Sequence, residues 1–379
     1  MQNSRPHNSS VTSCLRAFVP PCLCFLACLA ASPATAQPFP GNPDLLARPD
    51  LKLDELFNRL PDYKLGDDRT PLEFLAANVA AASKDMAAPE TRDLARRLAG
   101  LLDVPSSYDC KDYALRQLLM IAGRDEVPAI AKRIDDPGLG HMAIAVLERM
   151  ENEAADKALR DQLLLLSQDS RIMTINALGN RRDQQAVQLF KELLCECEPS
   201  VAAATLAALG TIATDDARRL IETKKQAEDP TVRFASLDAL LRVATGLLAG
   251  GRNNEAAGIF QNIFEDEKAP DSLRRGGLRG WVMSRPDRGV PRLVELLRSN
   301  DSAQQTMAIH VMRDIPPGKS EKIADSFGKY SPAVQVKVLN MFALRHDPAA
   351  KLAAEAALKS PDAEVRKAAE SALKPLPAK

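Results

Sequence analysis

Aromatic residues make up only 4% of this 379-residue chain, which has a single tryptophan and four histidines. Apolar residues reach 45%, mostly Ala, Leu, Val and Ile, so the chain is short of the β-branched and aromatic runs that build sheets and rich in what packs between helices. Neither sign of charge is in excess, with 50 Lys and Arg against 50 Asp and Glu. That balance offers no general attraction to nucleic acid or anionic lipid, both of which need a basic stripe or surplus. Gly-rich phosphate loops, serine elbows and Cys-x-x-Cys-His heme sites are all missing. The chain therefore carries no visible catalytic constellation and is read as a non-enzyme that needs no cofactor or metal.

Cysteine is also scarce where it would matter. Of the seven, Cys14, Cys22, Cys24 and Cys28 fall in the first 36 residues, leaving Cys110, Cys195 and Cys197. An odd remainder excludes a complete disulfide framework, so stability has to come from helix packing. Cys195 and Cys197 are two apart at a helix end and point to different sides, which disfavours chelation or an unstrained bridge. His141, His310 and His346 stand outside metal-ligand spacing of one another and of the cysteines.

The first 36 residues read as a secretory signal. Arg5 and Arg16 make a basic start, Ala17 to Ala31 is an uncharged apolar run, and Ala34-Thr35-Ala36 precedes Gln37 as a small-x-small cleavage site. An apolar run interrupted by Pro20-Pro21 falls short of the roughly 20 residues that span a bilayer. A lipid anchor at Cys28 is disfavoured because Phe25 and Leu26 fit its motif poorly. Cleavage after Ala36 predicts a periplasmic or secreted protein without a membrane span. It removes two basic and no acidic residues, so 48 bases face 50 acids and the mature charge is about −2.

What is abundant is repetition. Pro137, Pro199 and Pro230 lie 62 and 31 residues apart, Pro270 and Pro332 lie 62 apart, and Pro361 follows after 29. Each return opens a polar start followed by an Ala/Leu-rich helix, the mark of one supersecondary unit used many times. Residues 37–69 form a Pro-rich leader, expected to be extended over 37–50 with a short helix near Leu51 to Leu60. From Thr70-Pro71 onward the apolar positions recur at i, i+3, i+4 and i+7. Second helices repeat clearly: Ala186, Val187, Leu189, Phe190, Leu193 and Leu194 match Val290, Leu293, Val294, Leu296 and Leu297. Asp183, Asp287 and Asp347 stand ahead of second helices as N-caps, with Arg181, Arg182, Arg285, Arg288 and Arg345 beside them. Those charges are expected to form solvated pairs contributing well under about 1 kcal/mol each.

Several segments resemble the first helix of HEAT repeats: Asp229-Pro230-Thr231-Val232-Arg233-Phe234-Ala235-Ser236-Leu237, Ser360-Pro361 through Ala368-Ala369, and Thr174-Ile175-Asn176-Ala177-Leu178-Gly179 with its Arg-Asp turn. The stretch from His141-Met142 through Ala177-Leu178-Gly179 to Ala208-Leu209-Gly210 is similar to secreted bacterial HEAT-repeat proteins of unassigned function. The resemblance covers residues 70–376 and implies an all-α fold, an α-solenoid (α-α superhelix) of about nine helix pairs. Within that family the deoxyhypusine hydroxylases bind two irons through His-Glu pairs, and this chain contains no His-Glu dipeptide. That activity is excluded.

The repeat breaks between Pro230 and Pro270, which are 40 residues apart. Gly246, Gly250, Gly251 and Asn253-Asn254 predict a flexible loop over 246–254. The next helix holds Gly276, Gly277 and Gly280 around Trp281, and packing is the preferred explanation, with Trp281 filling the space the glycines leave. The expected function is a protein–protein interaction scaffold, binding an unidentified protein or peptide of mixed charge on a concave face lined by second helices. Register with the repeat assigns Lys132, Gln188, Lys191, Arg219, Glu222, Arg292, Glu295 and Lys351 to that face, with Arg252 and Trp281 at the break as further contacts. The alternative is an envelope enzyme or carbohydrate-processing accessory protein using a site near the 246–254 loop and Trp281.

Overall fold

Helix starts are set locally and in the same way along the chain. Ser107, Asn152, Thr214, Asp229 and Asp301 each accept a backbone N–H of the first helical turn, and Pro89, Pro199, Pro230, Pro286 and Pro332 occupy a first-turn position whose N–H would be unpaired anyway. The computed structural model describes residues 42–196, 198–316 and 318–373. The signal segment 1–36, with Cys28 and the cleavage site, and Cys197 lie outside the described residues.

Twenty α-helices and no strand occur among the described residues. After α1 (Leu53–Arg59), they run as pairs. These are α2 (Thr70–Ala82) with α3 (Pro89–Asp103), α4 (Tyr108–Ile121) with α5 (Val127–Ala131), and α6 (Gly140–Arg149) with α7 (Glu153–Gln162). Next come α8 (Gln168–Asn180) with α9 (Ala186–Glu196), α10 (Pro199–Ile212) with α11 (Asp215–Glu222), and α12 (Pro230–Ala249) with α13 (Asn253–Glu265). Then follow α14 (Asp271–Ser284) with α15 (Pro286–Arg298), α16 (Ser302–Met312) with α17 (Glu321–Asp325), α18 (Pro332–Arg345) with α19 (Ala349–Ala357), and α20 (Ala363–Leu373).

The helices pack in sequence order as two layers. Each even-numbered helix from α2 to α18 contacts the next even-numbered one, and α3 packs on α5, α5 on α7, α9 on α11, α15 on α17 and α17 on α19. The first-layer helices that start at Gln168, Pro199 and Pro230 are 31 residues apart, and Asp271, Ser302, Pro332 and Ala363 follow after 41, 31, 30 and 31. Between the layers runs one continuous core of Leu, Ile, Val and Ala, with Phe190, Phe264 and Phe342 among its largest fully buried side chains.

Small residues set how closely the first layer packs. A Cβ on Gly179 would lie 2.8 Å from the backbone Cα of Ala208, and one on Gly210 would lie 3.0 Å from that of Ala239. The repeated Ala-Leu-Gly of α8 and α10 is thus a helix-crossing device. Between the layers at the break, Gly277 and Gly280 of α14 bring it against Phe260 and Phe264 of α13, the most extensive helix pairing among the described residues. The expected packing role holds, with one correction: Phe260, and not Trp281, occupies the space above Gly280, because the Phe260 ring would lie 2.3 Å from a Cβ there.

Two other expectations are corrected. Pro43–Ala47 is a 3-10 turn that buries Leu45 to 8% exposure, since a proline at the first position of such a turn forfeits no hydrogen bond; the leader is not extended there. The extra residues at the break lengthen helices instead of forming a loop over 246–254. Helix α12 has 20 residues and α13 has 13, against 14 and 8 for α10 and α11. Gly246 is helical, and the connection shrinks to Gly250, Gly251 and Arg252 because Gly251 (φ +77°) closes the helix with Gly251 N–H to Leu248 C=O (3.1 Å) and Arg252 N–H to Leu247 C=O (2.9 Å).

The same closure recurs without glycine. Arg182 (φ +53°) and His346 (φ +54°) are left-handed, and Asp183 and Asp347 donate their N–H groups to Leu178 (3.0 Å) and Phe342 (3.1 Å). A left-handed non-glycine residue costs about 1 kcal/mol or more. We expect Arg182→Gly, and Ala213→Gly at the similar end of α10 (φ +56°), each to raise stability by about 0.5 to 1 kcal/mol in urea titration.

Candidate functional site

The turns between paired helices hold the strongest polar constellation. Arg181 reaches back across the repeat boundary, donating to the carbonyl oxygens of Leu147 (3.1 Å) and Glu148 (2.7 Å) in the last turn of α6 and of Met150 just beyond it, and to the Asp156 carboxylate. Arg160 pairs in turn with Asp183. Arg345 repeats the motif toward the carbonyls of Met312 and Ile315 at the end of α16 while pairing with Asp347 at 3.2 Å. These guanidiniums add donors to the carbonyls at the negative end of a helix, where the regular backbone ladder runs out. The expectation of solvated pairs is corrected here: the side chains of Arg181 and Arg345 are 11% and 12% exposed, and those of Asp183 and Asp347 7% and 3%. Repeat-to-repeat stacking covers them. Asp183 and Asp347 accept N–H groups at the entries to α9 and α19, from Gln185 just ahead of α9 (2.9 Å) and from Ala349 in the first turn of α19 (3.0 Å), although the residue in the cap position of α19 is Pro348. Asp287 does not; it is exposed inside the first turn of α15, where the Arg285 guanidinium holds its carboxyl below the usual range.

The residues assigned to a binding face are mostly available. Lys132, Gln188, Lys191, Arg219, Glu295, Lys351 and Arg252 are exposed, whereas Glu222 and Arg292 are half-buried. All belong to odd-numbered helices or their ends. Several are engaged within their own element: Arg219 with Asp216, Arg292 with Glu295, and Arg252 with Glu255 at 2.7 Å. Arg252 also approaches Asp215 of α11 at 3.7 Å, which ties the break to the preceding pair. Lys132 bridges to Asp103 at 2.9 Å. Trp281 is a correction, being 7% exposed with its ring centroid 6.2 Å from that of Phe264; the long apolar side chain goes into the α13–α14 contact.

Two concavities flank α13. A cleft of about 580 Å³ separates the C-terminal end of α11 from the C-terminal half of α13, with Leu237, Leu240, Ile259 and Ile263 below and Glu222, Lys225, Glu267 and Lys268 around it. Only Glu222 of the sequence-derived residues lies there. The cleft escaped sequence reading because its two sides come from α11 and α13 on either end of the lengthened α12; the signal that marked the place was the broken spacing. A smaller recess of about 240 Å³ lies on the other side, bounded by Asn254, Ala257, Gly258, Gln261, Trp281, Arg285 and Arg288. No group of three or more metal-ligating side chains occurs among the described residues, and no described helix is long and apolar enough to cross a membrane.

The two described cysteines differ in environment. Cys110 is buried, which pushes its thiol up to about 11, and Cys195 is exposed. Iodoacetamide at neutral pH is expected to label Cys195 in the native protein and Cys110 only after denaturation, as read by peptide mass mapping.

No family model and no curated protein matches the chain. Among solved structures, it is similar to an engineered protein at 20% identity, over 84% of this chain and 87% of that one, with a TM-score of 0.30. It is similar also to human deoxyhypusine hydroxylase in complex with glycerol at 16% identity, over 75% of this chain and 96% of that one, with a TM-score of 0.26. At these TM-scores neither likeness carries an argument about this chain.

Proposed function

We propose that the chain is a HEAT-like α-solenoid exported to the periplasm or cell exterior, where it acts as a non-catalytic scaffold that binds a protein or peptide on the face of its odd-numbered helices. One observation carries the reading: a second layer of helices, stacked in order, presents exposed residues of both signs from Lys132 through Lys191, Arg219 and Glu295 to Lys351. Such a surface is extended, and a long solvated face suits a partner of mixed charge better than a small substrate. The cleft between α11 and α13 adds an apolar floor at the middle of that face, with Glu222 and Lys225 on its rim.

The test is reversal of Lys191 and Arg219 together to glutamate, followed by cross-linking and pull-down from envelope extract. Capture of a defined partner should fall about tenfold with unchanged helical circular dichroism. Undiminished recovery of that partner by the variant would remove this face from the reading.

A further inference from the structure

The recess beside Trp281 has a chemistry unlike the rest of the surface. Its only charged wall residues are Arg285 and Arg288, and no carboxylate lines it. Arg285 is held in place from two sides, by Asp287 (3.0 and 2.9 Å) and by the Asn254 side-chain oxygen. The two amides present complementary free atoms. Asn254 has its oxygen engaged by Arg285, which leaves its Nδ2 as a donor, and Gln261 has its Nε2 engaged by Glu265 (2.9 Å), which leaves its Oε1 as an acceptor. Ala257, Gly258 and the edge of Trp281 supply the apolar surface, and Gly258 faces open space, with nothing within 4 Å of where a Cβ would stand.

We infer that this recess is a binding site for a small anionic polyol ring, an acidic monosaccharide. Two guanidiniums take its carboxylate or phosphate, the Asn254 donor and Gln261 acceptor share ring hydroxyls, which both accept and donate, and the indole edge with Gly258 meets the C–H face. A volume of about 240 Å³ admits one such ring and excludes a folded partner segment. The ligand goes beyond the scaffold role; the recess shares α13 and α15 with the odd-numbered layer but contains neither Lys191 nor Arg219, whose reversal tests that role.

Trp281 is the sole tryptophan, so its emission reports the site directly. The full chain is titrated with glucuronate, glucose 6-phosphate, glucose, acetate and inorganic phosphate, each up to about 10 mM. Saturable change is expected with glucuronate or glucose 6-phosphate, the two arms separating a carboxylate from a phosphate ligand, and none with glucose. Arg288→Ala should weaken the response about tenfold. Gly258→Leu, which adds a helix former where the space is open, should abolish it in a folded protein, as circular dichroism would verify. A flat titration with both acidic sugars, an equal response to acetate or phosphate alone, or binding that survives Gly258→Leu would each overturn the assignment.

Discussion

Gly277→Ala is expected to destabilise the protein by about 2 kcal/mol or more, while the same one-carbon addition at Gly246 or Gly258 stabilises it by up to about 1 kcal/mol. All three glycines are helical. Helix propensity alone therefore gives all three changes one sign. The difference lies in what the new methyl meets: at Gly277, the Phe260 carbonyl oxygen at 2.7 Å and the Phe264 nitrogen at 2.8 Å; at Gly246 and Gly258, nothing within 4 Å. Backbone atoms inside α13 cannot swing aside as a side chain does, so α13 and α14 have to separate. Because each helix packs chiefly on near neighbours in the chain, damage at one interface weakens coupling between the stretches on either side. Urea unfolding of Gly277→Ala should accordingly lose the coincidence between Trp281 emission, which reports α14, and circular dichroism, which reports every helix. A rise in stability with coincident transitions would contradict the α13–α14 packing.

Removal of the Arg181 side chain is expected to cost about 3 kcal/mol or more. The loss has two parts. Asp156, 24% exposed, is left without its partner, and the last-turn carbonyls of α6 lose a charged donor, Leu147 keeping only the 3.3 Å bond from Met150 N–H. Lysine at this position restores the charge but not the fork that serves several oxygens at once, so Arg181→Lys should recover less than half. Lys132→Ala, which breaks a 2.9 Å pair whose side chains are 57% and 43% exposed, is the control and should cost less than about 0.5 kcal/mol. Denaturant midpoints would measure all three. Comparable losses for Arg181→Ala and Lys132→Ala would mean that the turn arginines are solvated after all.

What the sequence made legible follows the range of the interactions. Asp183 and Asp347 act on N–H groups two residues away, so residue type and position suffice to expect them at helix entries. Asp287 was misread because its neighbour Arg285 competes for the carboxylate, a contest between two local partners that spacing does not resolve. For Trp281, which follows an array of arginines and glycines, the sequence favours packing in the space those glycines leave and still admits a contact at the break. Its burial depends on Phe264, 17 residues earlier, and on how closely Gly277 lets α13 approach.

The chain's own period, its proline and polar helix starts and its apolar spacing determined an all-helical body built from paired helices, because the starts and the spacing operate within one turn or one helix and the period follows from their regular return. The tertiary structure alone decided which glycines are indispensable, which turn charges are dry, where α11 and α13 leave a cleft and what lines the recess at Trp281. Those properties belong to atoms brought together from roughly one repeat apart, and such pairs exist only once the layers have stacked.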